Sequence, residues 1–211
     1  MAGPDPAPGE RPAALRDLIE RLSTEFAGSF DRDTVERIVA DSWSRRAARA
    51  PGGRAETEVE LLAKERLAAM AHPAAGAGRT PAVLFLCTHN AGRSQMALGW
   101  FAQLAGGRAI AWSGGSEPAA ELNPSAVAAM AELGIDISGG FPKPWSDEIL
   151  AGVDVVVTMG CGDACPYVPG KRYEDWPVED PAGRPLAEVR PIRDEIGERV
   201  RDLLARLGVP G

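Results

Sequence analysis

Long apolar runs are missing from this chain. Nowhere do about 18 consecutive apolar residues occur, the length a helix needs to cross a bilayer. The opening MAGPDPAPGERP has neither a basic stretch nor an apolar core of the kind a secretory leader carries. A soluble, cytoplasmic protein with no membrane partner is therefore expected. Cysteine is scarce as well: three in 211 residues do not make a disulfide framework, and in a reducing compartment they read as catalytic, redox or incidental thiols. Positive charge is in deficit. A formal net charge of -7 argues against a broad nucleic-acid surface, whose affinity depends on Lys and Arg neutralising phosphates, but it leaves room for a local anion pocket. Lysine is reduced to Lys64, Lys143 and Lys171 among many arginines, with Ala, Gly and Pro abundant, as in proteins of GC-rich genomes.

What is present is enough apolar content, 45%, to bury a core in one or two domains. The composition breaks at HPAAGAGRTP, residues 72 to 81, which has no apolar period. This divides the chain into residues 1–72, a linker over 73–81, and residues 82–211. In the first part, Leu15, Leu18, Ile19, Leu22 and Phe26 share one helical face; so do Val35, Ile38, Val39 and Trp43, and then Val59, Leu62, Leu67 and Met70. These predict a tail followed by a small three-helix bundle. Asp33-Thr34-Val35-Glu36 has capping-box spacing, with Asp33 as the expected cap. Trp43 and His72 read as a core residue and a linker residue, and the bundle carries no visible chemistry.

Past the linker the pattern becomes strand, loop, helix. AVLFL (82 to 86) and VDVVVTM (153 to 159) are apolar runs of the kind buried on both faces of a parallel sheet, and RAIAWSGG (108 to 115) is a weaker third. Helices are predicted over 94 to 105, over 123 to 133 with Asn123 as cap and Pro124 in the first turn, and at the end, where Val189, Ile192, Ile196, Val200, Leu203 and Leu207 fall on one face before Gly208. Alternating strands and helices give an open α/β sheet, which binds ligands at the carboxyl ends of its strands. Cys87 stands at such an end.

The segment after it, CTHNAGRS, spaces Cys87 and Arg93 by five residues that are mostly small or polar, and it feeds the N-terminus of a helix. Backbone amides of Thr88, His89, Asn90, Ala91, Gly92, Arg93 and Ser94, curled around the sulfur, with the helix dipole behind them, would hold a tetrahedral oxyanion and favour a thiolate. Arg93 offers a fork suited to phosphate or arsenate, and the Ser94 hydroxyl can donate to the sulfur. Free cysteine is also often a small buried hydrophobe; its setting between strand and helix, with Ser94 following, favours the nucleophile. Such chemistry needs an acid for the departing oxygen. WPVEDPAG (176 to 183) supplies Asp180 before Pro181, although Asp-Pro is also a common turn.

These residues resemble the low-molecular-weight protein tyrosine phosphatase superfamily over roughly residues 82 to 207, and within it the phosphatase-like arsenate reductases. CTHNAGRSQMA, SGGSEP (113 to 118), LNPSAVAAMAELGIDIS (122 to 138) and VTMGCGDACP (157 to 166) carry the likeness in order. It implies an open parallel four-stranded sheet flanked by helices. It further implies Cys87 as nucleophile, Arg93 as oxyanion clamp, Asn90 and Ser94 as organisers of the loop, and Asp180 as general acid. Ordinary tyrosine phosphatases usually carry a cysteine just before the loop arginine and a tyrosine after Asp-Pro; here those positions are Gly92 and Ala182.

Cys161 and Cys165 separate reductase from phosphatase. A thiol-arsenate adduct becomes reductive only when a second thiol attacks Cys87 and expels arsenite. The resemblance implies that Cys161 does so, that Cys165 then attacks Cys161, and that the resulting disulfide is presented to thioredoxin. Only three residues separate the two cysteines, fewer than in the thioredoxin-coupled pattern, so delivery of the thiol by mycothiol and mycoredoxin stays open, with thioredoxin favoured. The N-terminal bundle resembles an extension of some actinobacterial members of the thioredoxin-coupled type. Zinc is disfavoured, since two close cysteines without an adjacent histidine fall short of the usual four ligands. No metal and no tightly bound cofactor are expected; the electron donor is external.

Overall fold

A computed structural model describes residues 13–47, 55–72, 78–160 and 166–209. Their contacts form two compact units, Met1–Ala71 and His72–Gly211. In the first, α1 (Ala13–Glu25), α2 (Arg32–Ala47) and α3 (Ala55–Ala71) enclose the positions read from the helical period. Leu22, Val35, Ile38, Val39, Val59 and Leu67 are all at 0% exposure, and burying each such side chain contributes about 1.5–3 kcal/mol. Phe26, Trp43 and Met70 pack at the margin. Arg66 is buried, paired with Asp41 at 2.7 Å and donating to Ser42 Oγ at 3.0 Å. The cap of α2 differs from expectation: Asp31, not Asp33, accepts the Thr34 N–H at 2.8 Å. The helix begins at Arg32, which leaves Asp33 in the first turn, where a carboxylate interacts favourably with the helix dipole.

The second unit is built on a sheet of order β2-β1-β3-β4 with every pairing parallel. β1 (Ala82–Cys87) and β3 (Val155–Met159) are central, β2 (Ile110–Gly115) and β4 (Arg172–Asp175) are the edges. Because side chains alternate along a strand, Val83, Phe85 and Cys87 join Val155, Val157 and Met159 in one core. α4 (Arg93–Ala105), α5 (Pro124–Ala131) and α7 (Leu186–Arg206) supply its other wall. Leu84, Leu86 and Val156, equally buried, take the alternate positions, and the short α6 (Asp147–Gly152) contacts β1. Phe85 meets Phe101 and Trp176 at ring separations of 5.7 and 5.8 Å. α5 is capped as expected, Asn123 Oδ1 accepting the Ala126 N–H at 2.9 Å.

Two elements escaped the sequence reading. β4, RYED, has no apolar run because it is a half-exposed edge strand, and α6 is a single capped turn opened by Ser146. Of the expected linker, residues 73–77 lie outside the described residues. Arg79 reaches Asp154, and Pro81 O accepts the Ile110 N–H at 2.8 Å, so residues 79–81 are laced to the second unit. His72 stacks edge-on against Trp112 in the same unit. Among the described residues, no helix is long and apolar enough to cross a membrane.

Candidate active site

Cys87 ends the strand at the middle of the sheet, flanked in register by Gly115 of β2 and Met159 of β3. Its side chain is 2% exposed. The loop from Thr88 to Gly92 wraps it, and the carbonyls of residues 88 to 91 are all engaged on the outside: Thr88 O accepts from Glu117 N, His89 O from Ala119 N, Ala91 O from Asn123 N, and Asn90 O from Gln95 Nε2. A trans peptide sends each N–H opposite to the preceding carbonyl. Four outward carbonyls therefore turn the amides of residues 89 to 92 inward as an anion nest. Asn90 N–H already donates to Cys87 Sγ at 3.2 Å. A hydrogen bond to a charged group contributes about 1.5–3 kcal/mol, so such a ring strongly favours a bound oxyanion.

Asn90 makes this loop possible. It has φ 46°, the only left-handed non-glycine among the described residues, a region asparagine adopts more readily than most. Both ends of its side chain are engaged: Nδ2 donates to Ser94 Oγ at 2.8 Å, and Oδ1 accepts from Gln95 Nε2 at 3.1 Å and from Lys143 N at 3.0 Å. Because Ser94 Oγ accepts from Asn90, its own proton is available to Cys87 Sγ, 3.1 Å away. Gln95, 2% exposed, also donates to Phe141 O at 3.2 Å. It ties the loop to the segment after α5, a role the sequence reading missed. The available signal was a polar side chain on the apolar side of a helix. The SGG of residues 113 to 115 has a similar explanation, since a Cβ on Gly115 would lie 2.7 Å from Thr88 O.

Arg93 opens α4 and is 7% exposed. Its Nη2 donates to Asp180 Oδ2 at 2.6 Å. The Asp180 side chain is 44% exposed, so water screens the pair and its worth as a stabilising contact is small; its effect is to bring a carboxyl beside the guanidinium. Asp180 stands in a turn and beside Arg93 at once. Oδ1 accepts the Ala182 N–H at 3.0 Å in a turn while Oδ2 faces Arg93. The turn is held in place by Asn123, whose Nδ2 donates to Pro181 O at 3.1 Å. Gly92 fits beneath Pro181, where an added Cβ would approach the ring to 2.6 Å, so the cysteine that phosphatases carry here has no room without moving that turn.

At the end of β3, Gly160 has φ 73°, and its carbonyl accepts from Thr88 Oγ1 at 2.8 Å. The His89 ring sets Nδ1 3.0 Å from Glu117 O; since a carbonyl only accepts, Nδ1 carries the proton. Cys161 and Cys165 lie outside the described residues. Cys87, His89, Arg93, Glu121 and Asp180 line one cleft of about 280 Å³. A buried thiol, an amide nest, a guanidinium and a carboxyl thus face one space, a set that can attack a tetrahedral oxyanion and protonate its leaving oxygen. Among the described residues, no group of three or more His, Cys, Asp or Glu side chains could hold a metal ion.

Comparison with known proteins places the second unit in a family. Residues 82–209 match the family model described as low molecular weight phosphotyrosine protein phosphatase. An arsenate reductase of Bacillus subtilis is 43% identical over 130 residues, covering 57% of this chain and 92% of its own length. A glutaredoxin arsenate reductase of Synechocystis sp. is 39% identical over 128 residues, 59% of this chain and 97% of its own. Among solved structures, a thioredoxin-dependent arsenate reductase of Corynebacterium glutamicum superposes with a TM-score of 0.81 at 37% identity, over 93% of this chain and 97% of that one. That last likeness extends through the N-terminal helices.

Proposed function

The chain belongs to the low molecular weight phosphotyrosine protein phosphatase family, and from that premise we propose that it is an arsenate reductase whose relay of Cys87, Cys161 and Cys165 is recycled by thioredoxin. The observation that carries the reading is the cleft itself, where Cys87, Arg93 and Asp180 converge without the cysteine and tyrosine that phosphatases add at the positions of Gly92 and Ala182.

The Cys87 thiolate attacks arsenate held by the loop amides and Arg93. As the oxyanion takes over the Arg93 guanidinium, Asp180 gives up that ion pair and takes a proton from solvent; it passes this proton to a departing hydroxyl, which leaves as water, and a Cys87 sulfur–arsenic(V) bond forms. Cys161 then attacks Cys87 Sγ; the sulfur–arsenic electron pair stays on arsenic, which leaves as arsenite, and Cys87 and Cys161 are joined. Cys165 attacks Cys161 and releases Cys87 as thiolate. Two thiols have supplied two electrons. An external dithiol returns them by reducing the Cys161–Cys165 disulfide.

Thioredoxin as donor is supported by the Corynebacterium structure, whose likeness covers both units. The short spacing of Cys161 and Cys165 favours keeping mycothiol and mycoredoxin as the second reading. We assign the reaction to residues 82–211 and a non-catalytic role to residues 1–72. NADPH oxidation by the purified chain with arsenate, thioredoxin and thioredoxin reductase, each omitted in turn, tests the proposal. Consumption that needs every component is expected, and Cys165→Ala should stop it after one arsenite per chain. Normal steady-state turnover by Cys165→Ala would remove the third cysteine from the mechanism, and turnover only with mycothiol and mycoredoxin would select the second donor.

A further inference from the structure

The cleft over Cys87 is rich in hydrogen-bond donors and poor in acceptors. The amides of residues 89 to 92 turn inward, the Arg93 guanidinium only donates, and the Ser94 proton goes to Cys87 Sγ. Arsenate and phosphate near neutral pH are not all acceptor, since each keeps at least one hydroxyl. Facing donors alone, that hydroxyl would lose a hydrogen bond it makes freely in water. Displacement at such a centre runs in line, so the oxygen to be lost stands opposite the attacking sulfur. Cys87 is 2% exposed while the cleft opens to solvent, and the oxygen opposite it therefore points out towards the mouth.

His89 stands at that mouth, exposed and lining the cleft. Three hydrogen bonds fasten it and Thr88 to the segment that follows β2: Glu117 N donates to Thr88 O at 2.8 Å, Ala119 N to His89 O at 2.9 Å, and the ring's Nδ1–H to Glu117 O, 3.0 Å away. Committing the Nδ1 proton to a carbonyl settles the tautomer, so in the neutral ring Nε2 carries a lone pair and no hydrogen. Nε2 bonds to none of the described residues. The carboxylates of the cleft are less suited to the same task. Asp180 gives Oδ2 to Arg93 and Oδ1 to the Ala182 N–H, and exposed Glu121 has no hydrogen bond to a described residue that would hold it in place.

We propose that His89 Nε2 accepts the hydrogen of the outward hydroxyl of the bound oxyanion and so turns a lone pair of that oxygen towards Asp180. The inference rests on the reductase reading above and adds the residue that orients the leaving group. No proton is transferred to the ring: the hydroxyl hydrogen departs with the water, and His89 keeps the one proton on Nδ1. The same contact selects among tetrahedral anions. Arsenate and phosphate present a hydroxyl to Nε2, whereas sulfate, alike in shape, sets a lone pair against a lone pair.

The test is equilibrium titration of the reduced full chain with inorganic phosphate and with sulfate, in mildly alkaline buffer where imidazole is neutral. His89→Asn keeps an N–H where Nδ1 stands and has nothing in the place of Nε2. It should weaken phosphate binding about tenfold, the worth of one lost hydrogen bond, and leave sulfate nearly as it was. His89→Gln, whose amide oxygen can reach the place of Nε2, should regain part of the phosphate affinity although it gives up the bond to Glu117 O. Equal losses for both anions in His89→Asn would make the side chain a prop for the loop and overturn the assignment. So would an unchanged phosphate affinity, or no recovery in His89→Gln. Loss of the preference for phosphate in Glu121→Gln in place of His89→Asn overturns it as well, by moving the acceptor to the carboxylate. A native chain that binds neither anion removes the nest and the assignment together. The NADPH assay decides the reductase reading separately, so each of the other failures leaves that reading standing.

Discussion

Gly160→Ala is the sharpest probe of how tightly Arg93, the proposed oxyanion clamp, is enclosed. Gly160 has φ 73°, and a Cβ there would stand 2.6 Å from Arg93 Nη1. Reaching ordinary contact near 3.4 Å means opening that gap by 3.4 - 2.6 = 0.8 Å. An arginine tip usually swings aside cheaply, but this one is 7% exposed and held to Asp180 at 2.6 Å. Two penalties follow: about 1–2 kcal/mol for an alanine in the left-handed region, and about 1–3 kcal/mol for overpacking. Gly134→Ala isolates the first, since Gly134 has φ 72° with nothing within 4 Å of its Cβ. Thermal melts should therefore place Gly160→Ala below Gly134→Ala by about 2–4 °C for each kcal/mol of difference. Displacing the guanidinium by close to 1 Å should weaken oxyanion handling by up to about a hundredfold. Competitive inhibition by phosphate reads this without involving the neighbouring Cys161. Equal melting temperatures for the two variants, with native phosphate inhibition in both, would refute the close approach and with it the rigid placement of Arg93.

Asp180→Asn should lower kcat about 10²–10⁴-fold, the usual range for a lost general acid, with little change in melting temperature because its ion pair is half in water; a rate within threefold of native would remove Asp180 from proton transfer. Gln95→Leu keeps the volume but frees the Asn90 and Phe141 carbonyls, so arsenate kcat/KM should fall, and more than in Gln95→His, which can restore a donor; full activity in the leucine variant would show that Asn90 holds its conformation unaided. Burial, with a lesser contribution from nearby Arg79, pushes the His72 pKa below its usual 6.5. The unfolded chain therefore takes up a proton that the folded one refuses, and stability should fall as pH drops below 6.5 towards the folded value. His72→Gln should flatten that part of the melting curve against pH, and an unaltered profile would assign the acid sensitivity elsewhere.

The helical faces of the first unit, the apolar strands β1 and β3 and the spacing of Cys87 and Arg93 were all legible in the sequence, because each depends on residues within a turn or two of one another. A 3.6-residue period buries one helix face wherever the helix lies, and a cysteine loop between a strand and a helix forms its nest from local backbone. The cap at Asp31, two residues earlier than the Asp33 pattern suggested, shows the limit even at short range: several carboxylates compete, and the helix start picks one. β4 was invisible for a different reason. An edge strand with half-exposed residues needs no apolar pattern, and its pairing with β3 is a property of the partner's free hydrogen bonds. Only the folded sheet decided the rest of the site. Its parallel register brings Asp180 to Arg93 across 87 residues and Phe141 to Gln95 across 46, and it leaves Gly160 no space for a side chain. No local pattern encodes such approaches, since each is set by where three strands end relative to one another.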